Sequence, residues 1–193
     1  MAVRETKAIV AWLIDGARSA QEPQAVLAEL CERLVAAAVP LWRVAVFVRT
    51  LHPQVMGRRF LWVEGAGVSV SEAPHEVVET AEFRDSPIAR VYSEGRPLRR
   101  RLCDPGSPVD FSLLEELKAE GVTDYLATPL IFTDGAVHVA TWTTRQPRGF
   151  AADEVYAIEA AVPALARVAE VRALRRTAGN LLDTYVGPRL KPI

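Results

Sequence analysis

The hydrophobic pattern of this chain changes its period twice, which restricts the folds that the chain can adopt. Apolar residues recur at helical spacing from Ile9 to Ala38, alternate between two faces in the middle of the chain, and return to helical spacing after Phe150. Alternation is typical of strands with one buried face, whereas recurrence every three or four residues is typical of amphipathic helices. The pattern therefore predicts a central sheet with helices at both ends of the chain.

The turn chemistry predicts that the sheet is antiparallel. Asp134 and Gly135 lie between the alternating segments YLATPLIF and AVHVATWTT, and Asp-Gly favours a tight hairpin because both residues tolerate positive φ. Pro129 cannot donate to a strand ladder, which favours an edge position or a bulge. The predicted strands are 42–50, 58–64, 124–132 and 136–144, with RPLRRRL as a short additional strand.

The remaining segments read as helices. The spacing predicts a short helix over 83–95 that ends at Gly95 and another over 111–120 that ends at Gly121. Two helices precede the strands, the second with Pro23 in its first turn, and a long helix runs from about 150 to 185. The element order is helix, helix, strands, helices, strands and long helix, which is an α+β arrangement.

Composition limits the partners and the location. The chain has 193 residues, half of them hydrophobic, with a net charge of -1 and a pI near 6.3. A domain that binds nucleic acid is usually much more basic. The longest apolar run, 34–42, is too short to span a bilayer, and the two cysteines form no disulfide framework. We predict a cytoplasmic protein without a nucleic-acid or membrane partner.

Common catalytic and metal-binding motifs are missing. The sequence has no GxSxG, HExxH or GxxxxGK motif, and Val70 replaces the third glycine that a dinucleotide site would need in EGAGVSV. His52, His75 and His138 share no ligand-like spacing. The sequence therefore predicts no catalytic residue, no metal and no cofactor.

Two features keep a functional alternative. Cys103 follows three arginines whose charge would lower a thiol pKa, although a plain loop cysteine is the favoured reading, and Cys31 reads as a core residue. The run RPLRRR is suited to an anionic ligand, but a solvated surface strand is the favoured interpretation.

The order of elements and several short motifs resemble the GAF domain, a relative of PAS domains, over roughly 23–167. The resemblance implies an antiparallel sheet with long N- and C-terminal helices on one face and a small-molecule pocket under short helices on the other. The matching motifs are SEGRPL with Gly95 and Pro97 followed by Asp104, GVTDYLATPL ending in Pro129 and Leu130, Gly135 in the hairpin, and Phe150 with Asp153.

A second resemblance concerns the C-terminal part. ALARVAEVRALRRTAGNLLDTYVG is similar to the segment that joins a GAF-like sensor to the catalytic domain of bacterial class III adenylate or guanylate cyclases. This implies an N-terminal helix over 1–22, a GAF-like sensor over 23–167, and a signalling helix and linker over 168–193 toward a cyclase domain absent from this sequence. We expect no cyclase activity from the chain itself.

A pocket wall follows from the alternation and the resemblance together. One face of the sheet would contribute Phe60 and Trp62, and the short helices would contribute Ile88, Val91 and Leu114, since small-molecule sites are mostly apolar. His138 shares a strand face with Ala140 and Trp142 and would contact the ligand or sense pH. Ordinary core is nevertheless the favoured reading of each pocket residue, and a half-buried histidine bonded to backbone is the favoured reading of His138.

The end of the long helix predicts a homodimer. Leu174, Ala178, Leu181 and Tyr185 follow steps of four, three and four, the a/d spacing of a parallel two-helix seam, and Ile9 and Leu13 would extend the interface. The predicted function is a non-catalytic regulatory domain that senses a small molecule or dimerises to control a downstream cyclase. The alternatives are a ligand-free dimerisation domain, or a small cysteine-dependent or chromophore-bearing GAF protein.

Overall fold

The computed structural model describes residues 3–52, 55–74 and 80–186. Its architecture is a six-stranded antiparallel sheet with helices on both faces. The sheet order is β3-β2-β1-β6-β5-β4. The strands are β1 (Arg43–His52), β2 (Val55–Val63), β3 (Gly67–Ala73), β4 (Leu98–Arg100), β5 (Asp124–Ile131) and β6 (Val137–Thr144). The helices are α1 (Val3–Ile14), α2 (Pro23–Ala36), α3 (Ala81–Arg84), α4 (Pro87–Glu94), α5 (Ser112–Ala119) and α6 (Ala152–Val186). The predicted α+β class is confirmed.

The hairpin between β5 and β6 is confirmed, but its turn differs in detail from the prediction. Gly135 has φ +83, whereas Asp134 keeps a negative φ and accepts a hydrogen bond from the Ala136 amide on its side chain at 2.9 Å. The Phe132 amide donates to the Ala136 carbonyl at 2.9 Å, which closes a longer loop than a two-residue turn. The aspartate therefore acts through its carboxylate rather than through left-handed backbone.

Two local predictions are corrected by the structure. The predicted helix over 83–95 is two helices, because Ser86 caps the second one at the Ala89 amide and Pro87 occupies its first turn. Strand β3, which begins within the segment EGAGVSV and continues to Ala73, was not predicted. Its residues are mostly exposed, so the alternation carries little hydrophobic signal.

The sheet ends on β4, which is only three residues long. It pairs Leu98 with Ala127 and Arg100 with Tyr125, so that beyond Ala127 strand β5 is itself the edge of the sheet. Pro129 lies in that uncovered part, as its missing N–H group led us to expect.

Two hydrophobic clusters form on opposite faces of the sheet. The first, called the terminal-helix core, joins α1, α2 and α6 to the even-numbered residues of β5 and β6, such as Leu126, Leu130 and Trp142. The second, called the distal cluster, lies under α4 and α5 against the odd-numbered residues Tyr125, Ala127 and Val139. Successive strand residues point to opposite faces, so β5 and β6 each contribute to both clusters.

Helix α6 is fastened to the domain along its first half. Glu170 accepts hydrogen bonds from the Thr133 amide at 2.9 Å and from the Thr133 hydroxyl, and Arg172 donates to the Ala20 carbonyl at 2.7 Å. Beyond Ala173 the described side chains, from Leu174 to Gly179, are all exposed. None of the helices in the described ranges is both long enough and apolar enough to cross a membrane.

Candidate functional site

The distal cluster is the best candidate for a functional site because it joins the sheet to the two short helices. Helix α4 ends where Gly95 adopts the left-handed conformation (φ +61), and only three residues later the chain enters β4 at Leu98. Helix α5 adds two buried leucines from above. The buried members are Val91, Leu98, Leu102, Leu114, Leu117, Val122, Tyr125, Ala127 and Val139.

Only the helical part of the predicted pocket wall comes together here. Val91 and Leu114 are buried in the distal cluster, and Ile88 is packed against it. Phe60 and Trp62 belong instead to the terminal-helix core, on the other face of the sheet, so the prediction that they share a pocket wall with the short helices is wrong. The register explains the error: Phe60 pairs with Val46 and Trp62 with Val44, and paired residues share a face.

His138 lies on the same face as Ala140 and Trp142, as predicted, but that face belongs to the terminal helices. Its Nδ1 accepts a hydrogen bond from the Arg49 amide at 3.0 Å, and its ring lies 3.9 Å from that of Phe132. Burial lowers the pKa of the imidazole to about 4. His138 is thus a neutral histidine bonded to backbone, as the favoured reading predicts, although it is fully buried rather than half-buried and does not face the short helices.

Tyr125 is a polar residue of the distal cluster that the sequence reasoning missed. Its side chain is 1% exposed, and its hydroxyl is buried without a hydrogen-bond partner in the described structure. Burial raises the pKa of the phenol, and the positive charge of Arg43 opposes that shift. A buried hydroxyl of this kind has unused hydrogen-bonding capacity. Strand alternation puts Tyr125 on the face opposite to Asp124 but does not say which layer covers that face, so no local signal identifies this position.

An aromatic rim adjoins the distal cluster beside the second half of α4. The Tyr92 hydroxyl donates to the Phe47 carbonyl at 3.3 Å, and burial raises the pKa of this phenol. The Arg49 guanidinium lies 5.7 Å from the centre of the Tyr92 ring, and the centre of the Phe83 ring lies 6.2 Å from it. The rim therefore combines apolar surface with one exposed positive charge.

An open groove of about 880 Å³ lies beside α3 and α4. Its lining mixes both signs of charge, and it includes none of the six residues predicted to bind a ligand. The charged residues in it are Glu82, Arg84, Asp85, Arg90, Glu94 and Asp110.

The arginine run bonds to carboxylates of the chain itself rather than lying free in solvent. Arg99 binds the fully buried Asp124 with Nη2 to Oδ2 at 2.6 Å, and Arg100 binds Asp110 at 2.6 Å. The ion pair with Arg100 lowers the pKa of Asp110. The predicted solvated strand is therefore wrong for Arg99, whose partner, 25 residues away, was not identifiable from local sequence.

The cysteines and histidines whose side chains the structure describes form no recognisable reactive centre. Cys31 is buried in the terminal-helix core, as predicted, and burial raises its thiol pKa, while Cys103 is half-buried with its Sγ 3.6 Å from Asp104 Oδ1. Within the described ranges no group of three or more His, Cys, Asp or Glu side chains is placed to hold a metal ion. His75 lies outside the described residues.

The residues predicted at a dimer interface divide into three kinds. Ile9 and Leu13 are buried in the chain's own terminal-helix core, at 4% and 1% exposure, so they are not available to a partner and that part of the prediction is corrected. Leu174 is 63% exposed and Ala178 is also exposed. Leu181 and Tyr185 belong to α6, but their side chains lie outside the described residues.

Sequence comparison finds no matching family model and no matching curated protein. Solved structures do share the fold. The phycocyanobilin-bound GAF domain of a cyanobacterial phytochrome has a TM-score of 0.60 at 15% identity, over 88% of this chain and 96% of that one. The GAF domain of a phosphoenolpyruvate-protein phosphotransferase from Coxiella burnetii has a TM-score of 0.59 at 17% identity, over 93% of this chain and 99% of that one.

An N-acylhomoserine lactone dependent transcription factor of the LuxR family, from Burkholderia cenocepacia, has a TM-score of 0.53 at 18% identity, over 90% of this chain and 98% of that one. Identities this low establish the fold and not the ligand or the activity. The chain has a GAF-like fold, as its sequence pattern predicts.

Proposed function

We propose that this chain is a non-catalytic regulatory domain of the GAF type that controls a class III nucleotide cyclase through α6. The observation that carries the proposal is the course of this helix. It is bonded to and packed against the domain as far as Ala173, and it then continues for at least another turn with every described residue exposed. A helix that leaves its own core in this way is suited to carry a signal to a following domain.

The resemblance of the C-terminal segment to the linker of bacterial class III cyclases indicates that the controlled domain is a cyclase. Class III cyclases build their active sites between two catalytic domains, so a parallel α6 pair would bring the two halves together. The exposed Leu174 and Ala178 fit the a and d positions of such a seam.

A fusion protein tests this proposal. Residues 1–193 would be joined to a class III catalytic domain that is active only as a dimer. We expect more cyclic nucleotide than the catalytic domain alone makes, and a return to that lower level in the Leu174→Glu variant. Tyr156→Glu is the matched control, because Tyr156 is also exposed on α6 but lies in its second turn. A fusion no more active than the free catalytic domain would refute the proposal.

The domain either binds a small molecule at the distal cluster or acts without any ligand. The unpartnered Tyr125 hydroxyl favours a ligand that accepts or donates a hydrogen bond there, whereas the close packing around Leu114 and Val139 favours a ligand-free dimerisation domain. Native mass spectrometry of freshly purified protein, with an absorbance scan, separates these candidates because an added mass or a visible chromophore shows a bound molecule directly.

A further inference from the structure

In β4 and β5, the two strands at one edge of the sheet, neighbouring residues face the two opposite layers of the domain. In β4, Leu98 lies in the distal cluster and the next residue, Arg99, binds Asp124. In β5, Tyr125 lies in the distal cluster and the residue before it is Asp124. Because adjacent strand residues point to opposite faces, a shift of either strand moves both layers together.

The Arg99–Asp124 pair also holds the residues that lead into α6. The Asp124 carboxylate accepts a hydrogen bond from the Phe150 amide at 2.9 Å, and Arg99 Nη2 donates to the Phe150 carbonyl at 2.8 Å. Both backbone groups of one residue, two positions before the helix, are thus bound by one ion pair. Asp124 is completely buried and the Arg99 side chain is 29% exposed, so the carboxylate side of the pair is shielded from competing water.

Neighbouring contacts make this connection short and stiff. Arg101 donates to the Arg148 carbonyl at 3.1 Å, and the Thr123 hydroxyl donates to the Gln146 carbonyl at 2.5 Å. Glu154, in the first turn of α6, accepts from the Ala151 amide at 2.7 Å and from Arg148 at 2.6 Å. The segment between β6 and α6 is therefore bound both to the sheet edge and to the helix that follows.

We propose that the Arg99–Asp124 ion pair couples the distal cluster to the start of α6, so that a change of packing in the cluster alters the stability of the first turns of that helix. In the proposed regulatory function, this pair is the link between the distal cluster and α6. The proposal rests on that function only where it treats α6 as the helix that carries the signal onward. The link runs from α4 through Gly95 into Leu98 and Arg99, and from there to Phe150.

Hydrogen exchange of the purified chain tests the coupling. Val91→Ala loosens the distal cluster, and the readout is the exchange rate of the α6 amides 155–158 relative to that of the β2 amides, which corrects for global unfolding. The same substitution is then made together with Arg99→Met and Asp124→Asn, which remove the ion pair without leaving one charge buried alone. Val26→Ala, in the terminal-helix core, is the control that removes the same atoms elsewhere.

With the ion pair intact, we expect Val91→Ala to accelerate exchange of amides 155–158 about fivefold or more beyond its effect on the reference amides. Without the pair, this additional acceleration should be less than about twofold. Val26→Ala should have the same relative effect in both backgrounds. An excess that is unchanged by loss of the pair, or no excess with the pair intact, would overturn the proposal. If Val91→Ala does not fold, the milder Ile88→Val serves with the same readout.

This experiment separates the coupling from the proposed function, because it needs no cyclase. Loss of the exchange effect with an active fusion protein would remove the coupling alone. An inactive fusion with the exchange effect intact would remove the cyclase output and leave the coupling.

Discussion

Tyr125 lies in the distal cluster and Tyr92 packs against it, but their hydroxyl groups differ in hydrogen bonding. The Tyr125 hydroxyl is buried without a partner in the described structure, whereas the Tyr92 hydroxyl donates to a backbone carbonyl at 3.3 Å. A buried polar group that forms no bond loses its hydration without compensation, which costs about 1–3 kcal/mol. The two positions therefore predict opposite results for one substitution.

We expect Tyr125→Phe to raise the free energy of unfolding by about 1 kcal/mol and Tyr92→Phe to lower it by about 1 kcal/mol. Urea unfolding of the two variants, compared with the parent chain, measures both changes. A loss of stability in Tyr125→Phe comparable to that in Tyr92→Phe would show that the Tyr125 hydroxyl has a partner in solution.

His138 gives the domain a specific dependence on pH. Its Nδ1 must stay unprotonated to accept from the Arg49 amide, and burial lowers the folded-state pKa from 6.5 to about 4. The unfolded chain therefore binds the proton more readily. The contribution of this residue to stability is fully present above pH 6.5 and is lost as the pH falls toward 4, by at most about 3 kcal/mol.

The His138→Gln variant separates this effect from that of the carboxylates. We expect the parent chain to lose stability between about pH 6.5 and 5, above the range in which most carboxylates titrate, and the variant to lose much less there. Urea midpoints measured across this range make the comparison. Parallel slopes in the two proteins would contradict the assignment.

At the scale of elements, the start of α6 depends on a glycine that leaves room for a carboxylate. Gly149 has φ +70, and a β-carbon built on it would lie 2.7 Å from Asp124 Oδ2. Gly135 in the hairpin also has a positive φ, at +83, but a β-carbon there would meet nothing within 4 Å. The backbone strain is similar at the two sites, and only the first adds a collision with the buried ion pair.

We expect Gly149→Ala to lower the free energy of unfolding by about 2–4 kcal/mol and Gly135→Ala by about 1–2 kcal/mol. Thermal or urea unfolding measures the difference. Equal losses would mean that Asp124 moves aside without cost and that its bonds to Arg99 and Phe150 contribute little.

The elements were easier to predict from sequence than their faces. Alternation located β1, β2, β5 and β6, and Asp134-Gly135 located the hairpin, because these signals are local. Alternation defines two faces of a strand without saying which layer covers each, so Phe60 and Trp62 were assigned to the wrong cluster. Arg99 and Asp124 meet only after β4 pairs with β5, and no local pattern reports that contact.

At the scale of the whole molecule, α6 has two parts with different surroundings. Its first half buries residues such as Ile158 and Leu165 in the terminal-helix core, and the later part exposes Leu174 and Ala178. An exposed leucine in a regular seam pattern favours self-association, since pairing would remove its apolar surface from water.

We expect the chain to form a dimer whose dissociation constant rises about tenfold or more in Leu174→Glu, because a buried charge would face the seam. Tyr156→Glu should leave the dimer unchanged. Light scattering over a range of concentrations measures the equilibrium. A chain that stays monomeric at high micromolar concentration would remove the seam, and an equal effect of Tyr156→Glu would place the interface elsewhere on α6.

Leu98 and Arg99 face opposite layers, as do Tyr125 and Asp124. This arrangement limits the insertions and deletions that such a domain can accept during evolution. Inserting or deleting one residue within β4 or β5 would exchange the two faces, sending an arginine or an aspartate into the apolar layer and a leucine or a tyrosine toward the ion pair. Changes of two residues preserve the facing. Length variation among descendants of this chain should therefore fall in the loops around these strands, or occur within them in even steps.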